Sequence, residues 1–130
     1  MASLAGMEKL TILSLSRNLI KRIEKLEDVA STLQELWLSY NQISTLDGLS
    51  SCSSLTTLYL ANNKISDWAE LEKLAGLPSL VDLLLSGNPI YDSAPDPATA
   101  RLMVLKRVPQ IVKLDNIVVS PGEREKAKAL

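Results

Sequence analysis

With 130 residues, 46% of them hydrophobic and 22% charged, the chain has room for one domain with a real core. Its 14 Lys+Arg against 15 Asp+Glu leave a net charge of −1, which removes the basic footprint of a nucleic-acid binder. No apolar run approaches the ~18 residues of a membrane span, and the single cysteine, Cys52 among Ser51, Ser53 and Ser54, fits a reducing compartment and reads as a small packing residue.

The opening MASLAGMEKL lacks the apolar core of a secretory signal. From Leu10 onward one pattern, L-x-x-L-x-L-x-x-N-x-I, recurs in phase. Its four copies are Leu10, Leu13, Leu15, Asn18, Ile20; Leu33, Leu36, Leu38, Asn41, Ile43; Leu55, Leu58, Leu60, Asn63, Ile65; and Leu80, Leu83, Leu85, Asn88, Ile90. The first leucines are spaced by 23, 22 and 25 residues. Ile23, Leu46 and Trp68 continue three of the copies at one offset, and Leu26, Leu49 and Leu71 follow. This is the leucine-rich repeat pattern. It predicts an α/β solenoid with parallel strands on the concave face, short helices and turns on the convex face, and a helical cap at the carboxyl end.

The spacing has a physical reading. In x-L-x-L the leucines alternate to one face of a short strand and the x residues to the other. Stacked repeats, about 4.8 Å apart, pair these strands and fill one core that no single repeat could bury. The sharp turn after each strand buries backbone N–H and C=O groups. An asparagine carries both a donor and an acceptor, so Asn18, Asn41, Asn63 and Asn88 form a structural ladder. Ahead of the first copy, Leu4 lies six residues before Leu10, as Leu49 lies six before Leu55. SLAGMEKL therefore reads as the second half of a repeat, either of an N-terminally shortened form or of an artificial start at Met1, and its open edge could self-associate.

The 25-residue step contains DWAELEKLAG, predicted as a helix with a capping-box-like Asp67 and Glu70, Leu71 and Leu74 on one face, and Gly76 at the C-cap. Trp68 is assigned to the core. Asp96 and Pro97 then start a cap helix. Its stripe is Ala98, Leu102, Leu105 and Val108, while Arg101, Lys106 and Arg107 stay in water. Pro109 ends it, and Ile111 and Leu114 supply a partial fifth strand. Ser120 and Glu123 open a last, polar helix that reads either as a solvated tail or as one that docks on a partner. Residues 1–92 are thus assigned to a partial repeat and four full ones, 93–116 to the cap helix and partial fifth repeat, and 117–130 to the tail.

Catalysis has little to stand on. The chain has no histidine, no G-x-G-x-x-G, no P-loop, no C-x-x-C and no nucleophile with a plausible base. Asp47, Asp67 and Asp115 match no metal loop and read as turn formers. No enzyme activity, cofactor, metal or small-molecule substrate is expected. What remains is the concave face. One column, between the second and third leucines, is Ser14, Trp37, Tyr59 and Leu84; the next is Arg17, Tyr40, Asn62 and Gly87. Trp37, Tyr40, Tyr59 and Leu84 therefore form an outward apolar patch, edged by Glu35, Asp82 and Lys113. Such a patch marks a protein-binding surface unless a carboxyl-terminal element folds back over it.

At LQELWLSYNQI, LYLANNKISDWAELEKLAGLPSLVDLLLSGNPIY and KRVPQIVKLD the sequence resembles the axonemal outer-arm dynein light chain 1 family. The W-x-S-Y-N block, the later N-K-x-x-x-W and GNP carry the specificity, since phosphatase-regulator and spliceosomal proteins share the bare repeat. The resemblance runs from Leu4 to about Glu125 and implies further repeats upstream. It also implies a non-catalytic subunit of ciliary or flagellar axonemes, in the cytoplasmic cytoskeleton. That subunit binds a dynein heavy chain near its microtubule-binding stalk head, with tubulin a possible second contact. By position, Arg124 matches a tail arginine implicated in motor regulation, although Pro121 and Gly122 stand where the family is more acidic. The other readings are a phosphatase regulatory subunit and a ribonucleoprotein scaffold; direct contact with nucleic acid or membrane is not expected.

Overall fold

The computed structural model describes residues 4–130. Its spine is one sheet in sequence order: β1 (Ile12–Ser14), β2 (Glu35–Trp37), β3 (Thr57–Tyr59), β4 (Asp82–Leu84), β5 (Lys113–Leu114) and β6 (Ile117–Val118). The first five strands are parallel, in a register that aligns Leu13, Leu36, Leu58, Leu83 and Leu114. Alternation sends these leucines inward. Leu36, Leu58, Leu83 and Leu114 have no solvent exposure, and the same holds for Leu38, Leu60 and Leu85 at the next inward position. Cys52 is buried with them, and desolvation pushes its thiol up from the ordinary value.

Two ladders hold the turns. Asn41, Asn63 and Asn88 are buried. The Asn63 amide donates to Leu38 O at 3.0 Å and Leu60 O at 3.1 Å, and its Oδ1 accepts from Ile43 N at 3.0 Å. Asn41 and Asn88 repeat these contacts one turn away on either side. Asn18 departs from the expected ladder. It is exposed, and among the described residues its amide reaches only the carbonyls of Leu15 and Ser16 in its own turn. The asparagine bonds backward to the preceding repeat, and Asn18 has no full repeat before it among the described residues. The second ladder has no counterpart in the sequence reading. The hydroxyls of Thr32, Ser54 and Ser79 donate to Leu10 O, Ser31 O and Ser53 O, each one repeat back. The Gln110 amide closes the row on Leu74 O and Leu77 O.

Between β3 and β4 the predicted helix is present but is 3₁₀ over Trp68–Gly76, a long run for that geometry. Asp67 caps it through Ala69 N, but Glu70 does not complete a box. Its carboxylate instead accepts from Leu46 N, one repeat back, and from Lys73. Gly76 lies inside the helix and Leu77 is the C-cap. Trp68 is only part-buried: it packs against the core's edge, stacks on Tyr91 with centroids 6.4 Å apart, and donates to Ser93 Oγ at 2.8 Å. Tyr91 belongs to a second 3₁₀ segment, Pro89–Ser93, not anticipated from the sequence.

The cap begins with α1 (Pro97–Arg107), N-capped by Asp96, whose Oδ1 accepts from Thr99 N at 2.7 Å. The buried stripe is Ala100, Val104, Leu105 and Val108, with Leu102 part-buried and Ala98 exposed, a one-step rotation from the expected face. Asp115 and Asn116, both at positive φ, then make the two-residue hairpin that turns β6 antiparallel onto β5. Asp115 is more than a turn former. Its Oδ1 accepts from Leu85 N and Ser86 N, and its Oδ2 takes the Tyr91 hydroxyl at 2.6 Å. The terminal helix, α2 (Pro121–Lys128), has a complete capping box between Ser120 and Glu123.

Candidate protein-binding face

Strand register builds the site. Ser14, Trp37, Tyr59 and Leu84 lie side by side on β1 to β4 and point away from the leucines. Two residues earlier on the same face run Ile12, Glu35, Thr57, Asp82 and Lys113. Trp37 and Tyr59 stack, with centroids 6.0 Å apart and planes 20° from parallel. The Tyr59 hydroxyl donates to Asp82 Oδ2 at 3.4 Å. Desolvation first, then the Asp82 and Glu35 charges, push the Tyr59 phenol above its ordinary value. Trp37 Nε1 and Asp82 Oδ1, both buried, have no hydrogen-bond partner among the described residues.

The second column has a backbone reason of its own. Arg17, Tyr40, Asn62 and Gly87 all sit at positive φ, between +56° and +81°. This is the left-handed step that turns each strand into its asparagine. A Cβ at Gly87 would stand 2.3 Å from Asn62 Oδ1, so a side chain there would have to displace the Asn62 amide. Tyr40 holds this conformation with a bulky side chain, is 48% exposed, and carries the Arg17 guanidinium 4.4 Å above its ring. Asn62 is exposed beside it. The face thus combines an aromatic stack, a cation-covered tyrosine and the part-buried Leu84, rimmed by Glu35, Asp82 and Lys113.

Arg124 is elsewhere. Its guanidinium donates to Pro109 O at 2.9 Å and to Ile111 O at 2.6 Å, which pins α2 to the end of α1. Ala127 is buried in the same contact. Arg101, expected in water, has a side chain only 15% exposed and grips Glu123 at 2.7 Å, Leu114 O and Ile117 O. Lys106 is exposed as expected, but Arg107 lies over the Trp68 ring at 5.3 Å. The tail is therefore a docked part of the cap, and no hydrogen bond or ring contact joins it to Trp37, Tyr40 or Tyr59 among the described residues. The described residues contain no group of three or more His, Cys, Asp or Glu that could hold a metal.

These features match known proteins. The family model "Leucine Rich repeats (2 copies)" matches residues 31–73. Among solved structures, a chain of the Drosophila melanogaster SNF/U2A′ complex superposes with a TM-score of 0.78, covering 99% of this chain and 73% of that one. At 24% identity, that likeness concerns the fold alone. An internalin from Listeria monocytogenes has a TM-score of 0.67 at 30% identity over 86% of this chain and 30% of its own. The chain has the leucine-rich repeat fold. Within that class, dynein axonemal light chain 1 of Chlamydomonas reinhardtii is 54% identical over 97% of this chain, and its Homo sapiens counterpart 44% identical over 95%. The chain spans 65% of the length of each. It is a homologue of these light chains.

Proposed function

We propose that the chain is a non-catalytic dynein light chain that binds the motor domain of an outer-arm dynein heavy chain near its microtubule-binding stalk head and regulates the motor. The concave face makes the contact. The observation that carries this reading is the outward Trp37–Tyr59 stack, with Tyr40 exposed beside it, in a homologue of dynein axonemal light chain 1. Trp and Tyr offer large, stiff contact area and dominate binding energies at interfaces. Glu35, Asp82, Lys113 and Arg17 contribute more to orientation and on-rate than to affinity.

Trp37→Ala is expected to weaken heavy-chain binding by about 2 kcal/mol or more, roughly thirtyfold in Kd. Calorimetric titration of the purified heavy chain measures it, with a thermal melt to show that the variant is folded. A Kd equal to that of the unsubstituted chain would remove the concave face from the mechanism.

A further inference from the structure

The aromatic rings of this molecule follow a rule with one exception. Tyr40 carries Arg17 at 4.4 Å, and Trp68, stacked on Tyr91, carries Arg107 at 5.3 Å. Only the Trp37–Tyr59 stack has no cation over it among the described residues, although two carboxylates flank it. Glu35 precedes Trp37 by two residues on β2 and so shares its face; Asp82 accepts the Tyr59 hydroxyl. Neither carboxylate is in an ion pair among the described residues, and Lys113, beside Asp82 in register, does not bridge to it. Asp82 Oδ1 is buried and has no hydrogen-bond partner among the described residues, and rotation about χ2 would exchange it with Oδ2.

Negative ring faces, two uncompensated carboxylates and a free acceptor call for a flat cation with several donors. A guanidinium meets all three: it stacks on indole and phenol rings, and its N–H groups reach carboxylates in plane. A lysine ammonium is a hydrated point charge and would serve the carboxylates but not the stack. We propose that the bound protein seats an arginine side chain on the Trp37–Tyr59 stack, with its N–H groups on Asp82 and Glu35. This rests on the concave face being the docking surface.

The test titrates outer-arm dynein heavy chain, stripped of its light chain, with the unsubstituted chain, E35Q/D82N and W37A, each shown to be folded by circular dichroism. Neutralising both carboxylates is expected to raise Kd about tenfold and to flatten its dependence on salt. Phenylglyoxal labelling, mapped by mass spectrometry, is expected to show a heavy-chain arginine protected by the unsubstituted chain but not by W37A. If E35Q/D82N binds as tightly as the unsubstituted chain while W37A does not, the arginine is overturned and the docking face stands. Protection of lysines alone against acetylation also overturns it. If W37A binds normally, the docking face falls and the arginine with it.

Discussion

The two ends of the parallel run of strands, β1 and β5, both carry repeat leucines, in opposite conditions. At β5, Leu114 is fully buried, Asp115 takes the free N–H groups of Leu85 and Ser86, and Arg101 ties Leu114 O and Ile117 O to α2. At β1, Leu13, Leu15 and Ile20 are only part-buried, and the Asn18 side chain is exposed. The repeat pattern is complete at β1 and only partial at β5, so the tighter packing at β5 does not come from the local pattern. Each turn supplies half of a core layer and half of a hydrogen-bond set, and the neighbour supplies the rest. A consensus leucine or asparagine is worth its full stabilisation only between two neighbours.

The widest separation is expected in the core. Leu58→Ala, at a site without exposure, should cost about 3–5 kcal/mol, and Leu13→Ala less than about 2, as read from urea midpoints at constant m. Equal losses would mean the β1 end is as tightly packed as the middle. The ladder comes next. Asn63→Ala strands Ile43 N inside the protein and takes one of two amide donors from Leu38 O and Leu60 O, which Asn41 and Asn88 still reach; it should cost about 1–3 kcal/mol, against about 0.5 for Asn18→Ala. The smallest effect belongs to the cap. Arg101 holds Glu123 down at about 2, below the 4.5 of a free glutamate. The folded-state pKa is depressed, so this pair's stabilisation is present above pH 4.5 and is lost as pH falls toward 2. Loosening of α2, followed by NMR at the buried Ala127 methyl, should track that window and become pH-independent there in Glu123→Gln.

Much of this was readable in the leucine spacing, because a period of two within strands and of 22 to 25 between them fixes which side chains share a face. The column of Ser14, Trp37, Tyr59 and Leu84 follows from counting alone. Backbone handedness was harder. Asn62 and Gly87 favour positive φ, but Arg17 and Tyr40 in the same column do not, so the shared turn was masked by its least typical members. Long-range partners were also hidden. Arg101 reads as a solvated cation on its helix, and only the return of the chain through Glu123 brings it under cover. Glu70 has good capping spacing, yet Leu46 N offers it a buried donor and wins. In each case a local rule lost to a group brought close by stacking.

The uneven ends give the molecule a direction of loosening. Amide protons in β1 should exchange with deuterium first, then those of β2 and β3 in succession, with the strands under the helical cap slowest of all. Heat or denaturant would peel the coil from its amino-terminal turn, like thread drawn from one end of a spool.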